Sequence, residues 1–203
     1  MPERARLEIA ATVVLQKTAL DLLLHDIRDA GFALVGPQVR GDGIAYADLE
    51  GAAQLPRGWT TEQAPGSFRL TRGSHDRFFD FIPGSQSWKQ FLFPPRVQLF
   101  TSRRANGHWV LEHQQPESEP RAFIGVRACE LAAIGIQDRV FLRSDLADPG
   151  YRARRSGIFI LAVDCLHPAS TCFCSAMSTG PRVTGDFDLC LTELDDVFLP
   201  NLV

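Results

Sequence analysis

The spacing of apolar side chains along the chain changes character near residue 121. Before it, residues 18–30 carry Leu20, Leu23, Leu24 and Ile27 at helical intervals, with Thr18 placed as a cap and Gly31 as a stop. Residues 32–36 and Gly43–Asp48 read as two short strands joined through Gly41-Asp42-Gly43, a hairpin signal. Residues 51–66 hold Gly, Pro and Gln without apolar periodicity and are expected to be loop, whereas Ser67–Arg72 alternates in the manner of a half-exposed strand. Residues 73–95 are rich in aromatics (Phe78, Phe79, Phe81, Trp88, Phe91, Phe93), which suits a packed aromatic layer. Residues 112–121 are polar with two prolines and mark a surface loop.

After residue 121 the pattern is that of a buried sheet. Residues 122–126 form a continuous apolar run, the mark of a strand covered on both faces. Residues 129–142 predict a helix with Leu131, Ile134 and the apolar members of 137–142 facing inward. Residues 157–163 are a second buried strand, and strand, helix, strand at this separation predicts a parallel βαβ unit. Residues 187–194 give a further strand. The expected fold is α/β with an α+β N-terminal part: a mixed sheet containing a parallel βαβ unit with flanking helices. One domain is expected over 1–203, with 1–95 as scaffold and 96–203 bearing the cysteines.

Composition narrows the classes. At 203 residues, 45% hydrophobic and 22% charged, the chain is long enough for one buried core and is not of disordered type. A net charge of -3 gives no general pull toward nucleic acid or anionic membrane. The first twelve residues lack the features of a secretory signal, and the longest apolar run is far short of the roughly 18 residues of a membrane span. A cytoplasmic protein without a membrane span is the expectation. No phosphate-binding or dinucleotide-binding glycine loop is present. The arginines 139, 143, 152, 154 and 155 alternate with Asp138, Asp145 and Asp148, the pattern of a salt-bridged exposed face or a docking surface.

The cysteines carry the candidate chemistry. There are five, an odd number that argues against a disulfide framework. Cys165, Cys172 and Cys174 follow the end of a predicted buried strand, where open α/β sheets place their ligands. Cys172 and Cys174 are separated by a single residue, so extended chain points both thiols the same way. Cys129 sits at a predicted helix start, where free N–H groups and the helix dipole favour a thiolate. In a parallel βαβ unit it emerges at the same sheet edge as Cys165. Four converging thiolates suit an iron–sulfur cluster, with Arg127 and Arg182 flanking to offset its negative charge and raise its potential. Gly180 permits close backbone approach, and Pro168 restricts the loop. Two alternatives stay open. Cys165, His167, Cys172 and Cys174 form a set that a structural zinc accepts; Cys129 with His167 or His113 as base makes a thiol enzyme conceivable. Cys190 alternates with Leu189 and Leu191 and reads as a core residue.

Several segments together resemble a known family: 91–96 (FLFPPR), 123–134 (FIGVRACELAAI), 138–142 (DRVFL) and 164–181 with its three cysteines. They are similar, in order and spacing from about residue 88 to 199, to the beta (iron–sulfur) subunit of soluble nickel–iron hydrogenases and sulfhydrogenases and to its relative among the components of anaerobic sulfite reductase. The resemblance implies an electron relay between flavoprotein and catalytic subunits. Its cysteine motifs fall on Cys129, Cys165, Cys172 and Cys174, with Gly180 and Pro181 beside them, and a 4Fe-4S cluster is the implied cofactor. Ala128 stands where Pro is usual, Ser178 where Gly is usual, and Glu130 where Asp is usual, which makes Glu130 an alternative ligand to Cys129. Members of that family continue into a ferredoxin-like domain with two clusters, so a sequence ending at Val203 is expected to be the N-terminal part of a longer protein.

Overall fold

The computed structural model of the chain describes residues 13–113, 119–143 and 145–202. The start of the chain read for a leader lies outside these residues. So does the middle of the polar loop expected over 112–121, together with the side chain of His113.

In chain order the elements are β1 (Leu15–Gln16), α1 (Leu20–Asp29), β2 (Ala33–Arg40), β3 (Gly43–Asp48), β4 (Trp59–Ala64), β5 (Ser67–Arg72), α2 (Lys89–Leu92), β6 (Phe100–Ala105), β7 (His108–His113), β8 (Arg121–Arg127), α3 (Ala128–Phe141), α4 (Pro149–Ser156), β9 (Ile158–Val163), β10 (Leu189–Glu193) and β11 (Val197–Leu202). Seven strands form one mixed sheet in the order β1-β11-β10-β9-β8-β2-β3. Its centre, β2, β8, β9 and β10, is parallel, and antiparallel β3 and the β11–β1 pair form the edges. The sheet therefore draws its strands from both the N-terminal and the cysteine-bearing parts of the chain.

Alternation along the central strands fills two apolar layers. Ala122, Ile124, Leu161, Leu189 and Leu191 pack on one face with Leu20, Leu24 and Ile27 of α1 and with Phe78, Phe79 and Phe81. Phe123, Ile160, Ala162 and Cys190 pack on the other with Leu131 and Ile134 of α3, Tyr151 of α4 and Trp88. The aromatic stretch thus serves both layers.

Several expectations change in detail. Thr18 does not cap α1: it lies in a short 3-10 turn, Lys17–Ala19, that leads straight into the helix, while Gly31 at φ 98° ends it as expected. Residues 59–64, expected as loop, are β4, paired with β5 as a separate two-stranded ribbon. A second ribbon, β6–β7, turns at Asn106-Gly107 with both residues at positive φ. In and just after α3, Leu131 and Ile134 face inward with Phe141 and Leu142 packed beside them, as expected, whereas Val140 is largely exposed. α4 begins as chain chemistry dictates, with Asp148 accepting from Tyr151 N at 2.6 Å and Pro149 in the first turn. The alternating Arg/Asp stretch is partly internal: Arg155 Nε meets Asp138 at 3.1 Å, Tyr151 Oη donates to Asp138 at 2.6 Å, and Arg154 Nε donates to Leu92 O at 2.9 Å. Among the described residues no helix is long and apolar enough to cross a membrane.

Candidate functional site

β8 and β9 are parallel neighbours in which Arg127 lies beside Val163. The residues that follow these two strand ends therefore emerge together at the carboxyl edge of the sheet: Ala128 and Cys129 open α3, and Asp164 and Cys165 open the segment that carries Cys172 and Cys174. A cavity of about 450 Å³ lies between them. All four of these cysteines line it, together with Arg127 and a largely apolar wall that includes Ile82, Ala132, Ile136 and Met177. None of the four is in a disulfide, and Cys129 and Cys172 are exposed. Cys190 lies apart, 4% exposed in β10.

The segment after β9 is held by short-range ties. Asp164 accepts from Val183 N at 2.8 Å and from Thr192 Oγ1 at 2.6 Å, which closes residues 164–183 into a loop over the sheet edge. Cys165 N donates to Pro181 O at 3.1 Å, and Thr179 N donates to Cys174 O at 2.9 Å. Gly180 lies so close to α3 that a Cβ there would stand 3.2 Å from Ala128 Cβ and 3.3 Å from Cys174 Sγ. The Gly180-Pro181 peptide is cis. Ser178 adopts φ 54°, in the left-handed region that favours glycine.

Arg127 is the charged group of the site. Only 3% exposed, it donates from one terminal nitrogen to Cys165 Sγ at 3.2 Å and from the other to Phe79 O at 2.7 Å and to Phe81 O. Its guanidinium lies 4.9 Å from the centre of the Phe81 ring. Gly125 makes this placement possible. It is the extra residue of a bulge between Ile124 and Val126, at φ 85°, and re-aims the end of β8.

Glu130 and His167 face elsewhere. Glu130 accepts from Arg127 N at 3.0 Å and from Tyr46 Oη, so its carboxylate caps α3 from the protein side. Burial raises its pKa, with the Tyr46 and Arg127 hydrogen bonds opposing. His167 pairs with Asp80 and lies 3.1 Å from an Arg77 nitrogen, outside the cavity lining. Arg182 is exposed and does not line the cavity either; the thiol its charge acts on is Cys190.

The thiols differ from the sequence expectation in charge. Cys129 is exposed as a residue, yet desolvation against the apolar wall, followed by the nearby Glu130 carboxylate, pushes its thiol up to about 11 in spite of Arg127. The helix dipole is met by Glu130, which leaves little to stabilise a thiolate. Burial likewise raises the Cys165 thiol, and the Arg127 charge and hydrogen bond work against that rise without overcoming it. Cys129 therefore carries its proton at neutral pH, which disfavours it as a free nucleophile. Cysteine protons must leave when thiolate ligation occurs.

Among the described residues no group of three or more His, Cys, Asp or Glu is arranged to hold a metal ion. A single tetrahedral ion needs each sulfur at about 2.3 Å from one point. The four cysteines share a cavity without converging to that degree, whereas a cluster sets a separate iron beneath each thiolate and so spreads its ligands. No family model, curated protein or solved structure matches the chain.

Sequence reasoning missed three contributors to this site. The carbonyls of Phe79 and Phe81 left no signal, since main-chain groups have no letter. Glu193, buried at the end of β10, accepts from Phe78 N at 2.8 Å and Phe79 N at 2.9 Å and pairs with Lys17 at 3.0 Å. An acid closing an apolar strand was its visible mark. Asp164 already opened the cysteine segment in the sequence; only its ties to Val183 N and Thr192 Oγ1 were not foreseen.

Proposed function

We propose that this chain is the electron-transfer part of an oxidoreductase complex, holding an iron–sulfur cluster on Cys129, Cys165, Cys172 and Cys174. One observation carries the reading: four thiols from separate segments line a single, mostly apolar cavity beside a buried guanidinium. That donor set fits a four-thiolate cluster, which when bound supplies one-electron storage and transfer. The chain's own residues bind it through sulfur, surround it with an apolar wall that includes Ile82 and Ala132, and offset its charge with Arg127. We read β8, α3, α4 and β9 as one parallel crossover unit whose carboxyl edge presents the thiols. The partners in this reading are two other subunits of the complex: a flavoprotein, and a catalytic subunit of hydrogenase or sulfite reductase type. The cavity opens beside Phe173 and Met177, 72% and 63% exposed, where a redox partner can approach.

Glu130 and His167 are outside the ligand set because both side chains already have partners away from the cavity. Anaerobic reconstitution with iron and sulfide tests the proposal. The expected product is brown, with about four irons and four sulfides per chain, and Cys129→Ser makes it labile. Colourless protein that retains one zinc, unaffected by Cys129→Ser, would replace the electron relay with a zinc-stapled, non-redox assembly module.

A further inference from the structure

The cysteines of the cavity are not equivalent. Arg127 places a nitrogen within hydrogen-bond distance of one sulfur alone, that of Cys165, at 3.2 Å. The guanidinium is fixed there. Its other terminal nitrogen is taken by the carbonyls of Phe79 and Phe81, its guanidinium carbon lies 4.9 Å from the centre of the Phe81 ring, and its backbone N–H is held by Glu130. The two carbonyls are fixed in turn, because Glu193 accepts from Phe78 N and Phe79 N and is paired with Lys17. A positive charge is therefore built into the floor of the cavity and cannot swing out to solvent as a surface arginine does. Arg182, the other flanking arginine, is exposed and does not share this placement.

We propose that Arg127 is a positioning residue that sets the reduction potential of the thiolate-bound redox group by acting through Cys165. This rests on the cluster reading. Adding an electron to a thiolate-ligated cluster adds negative charge near the sulfurs, and a fixed N–H donor and a buried cation both favour that reduced state. The effect is greatest on the iron held by Cys165, so the site is electrically lopsided, with its positive side toward the protein and its apolar, exposed mouth on the other.

The experiment compares wild type with Arg127→Lys and Arg127→Met after anaerobic reconstitution, each variant first shown folded by its thermal melt. Redox titration followed by the visible and paramagnetic signals gives the midpoint. The expected result is a lower potential in Arg127→Met, by at least tenfold in the one-electron equilibrium constant, about 59 mV, at unchanged iron content. Arg127→Lys shifts the same way by less, and it carries the test if the Met variant does not fold. Potentials equal to wild type at full iron content overturn the proposal. A second readout needs no cluster: in the apo protein, the rate of alkylation of Cys165 relative to Cys172 falls severalfold when the Arg127 donor is removed. If wild type takes up no iron, the cluster reading fails, and an unchanged Cys165-to-Cys172 ratio then removes the role of Arg127 as well.

Discussion

At the residue scale the site depends on backbone positions as much as on sulfur. Gly125 holds φ 85°, and a Cβ there would lie 2.7 Å from Phe79 Cε1 inside the core. Gly125→Ala combines left-handed strain with overpacking, so a loss of about 2–4 kcal/mol is expected in urea unfolding. A loss below the ordinary scatter of surface substitutions would mean that the bulge relaxes freely. Ser178 is the converse case, a side-chain-bearing residue at φ 54°. Ser178→Gly relieves that strain and is expected to raise stability by about 0.5–1 kcal/mol, net of the added freedom of the unfolded chain. Cys190 separates from the other four thiols by its place in the core, away from the cavity. Burial, with Asp164 nearby, pushes its thiol up to about 12 from an ordinary 9.0. It is an acid whose folded value lies above its unfolded one, so the native state keeps a proton that the unfolded chain releases between pH 9 and 12. Its contribution is intact below pH 9, and stability falls above it, by up to about 1.4 kcal/mol per pH unit. Unfolding midpoints at pH 8 and pH 10.5 should diverge less in Cys190→Ala than in wild type. An equal alkaline loss in both would remove Cys190 from this role.

At the element scale, what could be read from the letters follows burial. Buried strands such as β8 and β9 announce themselves as runs like Ala122-Phe123-Ile124 and Ile160-Leu161-Ala162, because both of their faces are covered. Ribbons that bury little leave a short period or none: β5 alternates Phe68 and Leu70 with polar residues, whereas Thr60, Thr61, Glu62 and Gln63 of its partner β4 say nothing about pairing. Their turns did carry a signal, Pro65-Gly66 and Asn106-Gly107, and turn chemistry outweighs periodicity where no face is buried. The gathering of Cys129 with the 165–174 segment was legible from strand ends. The clamp behind Arg127 was not, since it runs through main-chain carbonyls and a long-range acid. That clamp can be probed directly. Glu193 and Lys17 are both almost wholly buried, and Glu193→Gln leaves the ammonium without its countercharge while weakening the hold on Phe78 N and Phe79 N. A loss of about 3–5 kcal/mol is expected. The double variant Lys17→Met/Glu193→Gln should cost clearly less than the sum of the single ones. Additive losses would show that the two side chains do not act as a pair.

At the scale of the whole molecule, the cysteine cavity is a place where three parts of the chain meet. Cys129 belongs to α3, packed on one face, while Cys165, Cys172 and Cys174 belong to the 164–183 loop, which is tied to β10 through Asp164 and Thr192. The 78–81 segment reaches the same cavity from the opposite layer through Arg127. A group bound to all four sulfurs would cross-link these pieces, and anything that binds only the folded state stabilises it by mass action. A zinc confined to the 165–174 loop would cross-link only that loop. Hydrogen exchange distinguishes the two. Loading with iron and sulfide should slow exchange both in the first turn of α3, residues 128–132, and across 164–181, leaving the β6–β7 ribbon, which contributes nothing to the cavity lining, unchanged. In Cys129→Ser the protection at 128–132 should vanish while part of that over 164–181 persists. Protection restricted to 164–181 in wild type would place the bound group on the loop alone and detach α3 from the site, taking with it the argument that the parallel strand ends were brought together to hold a shared ligand.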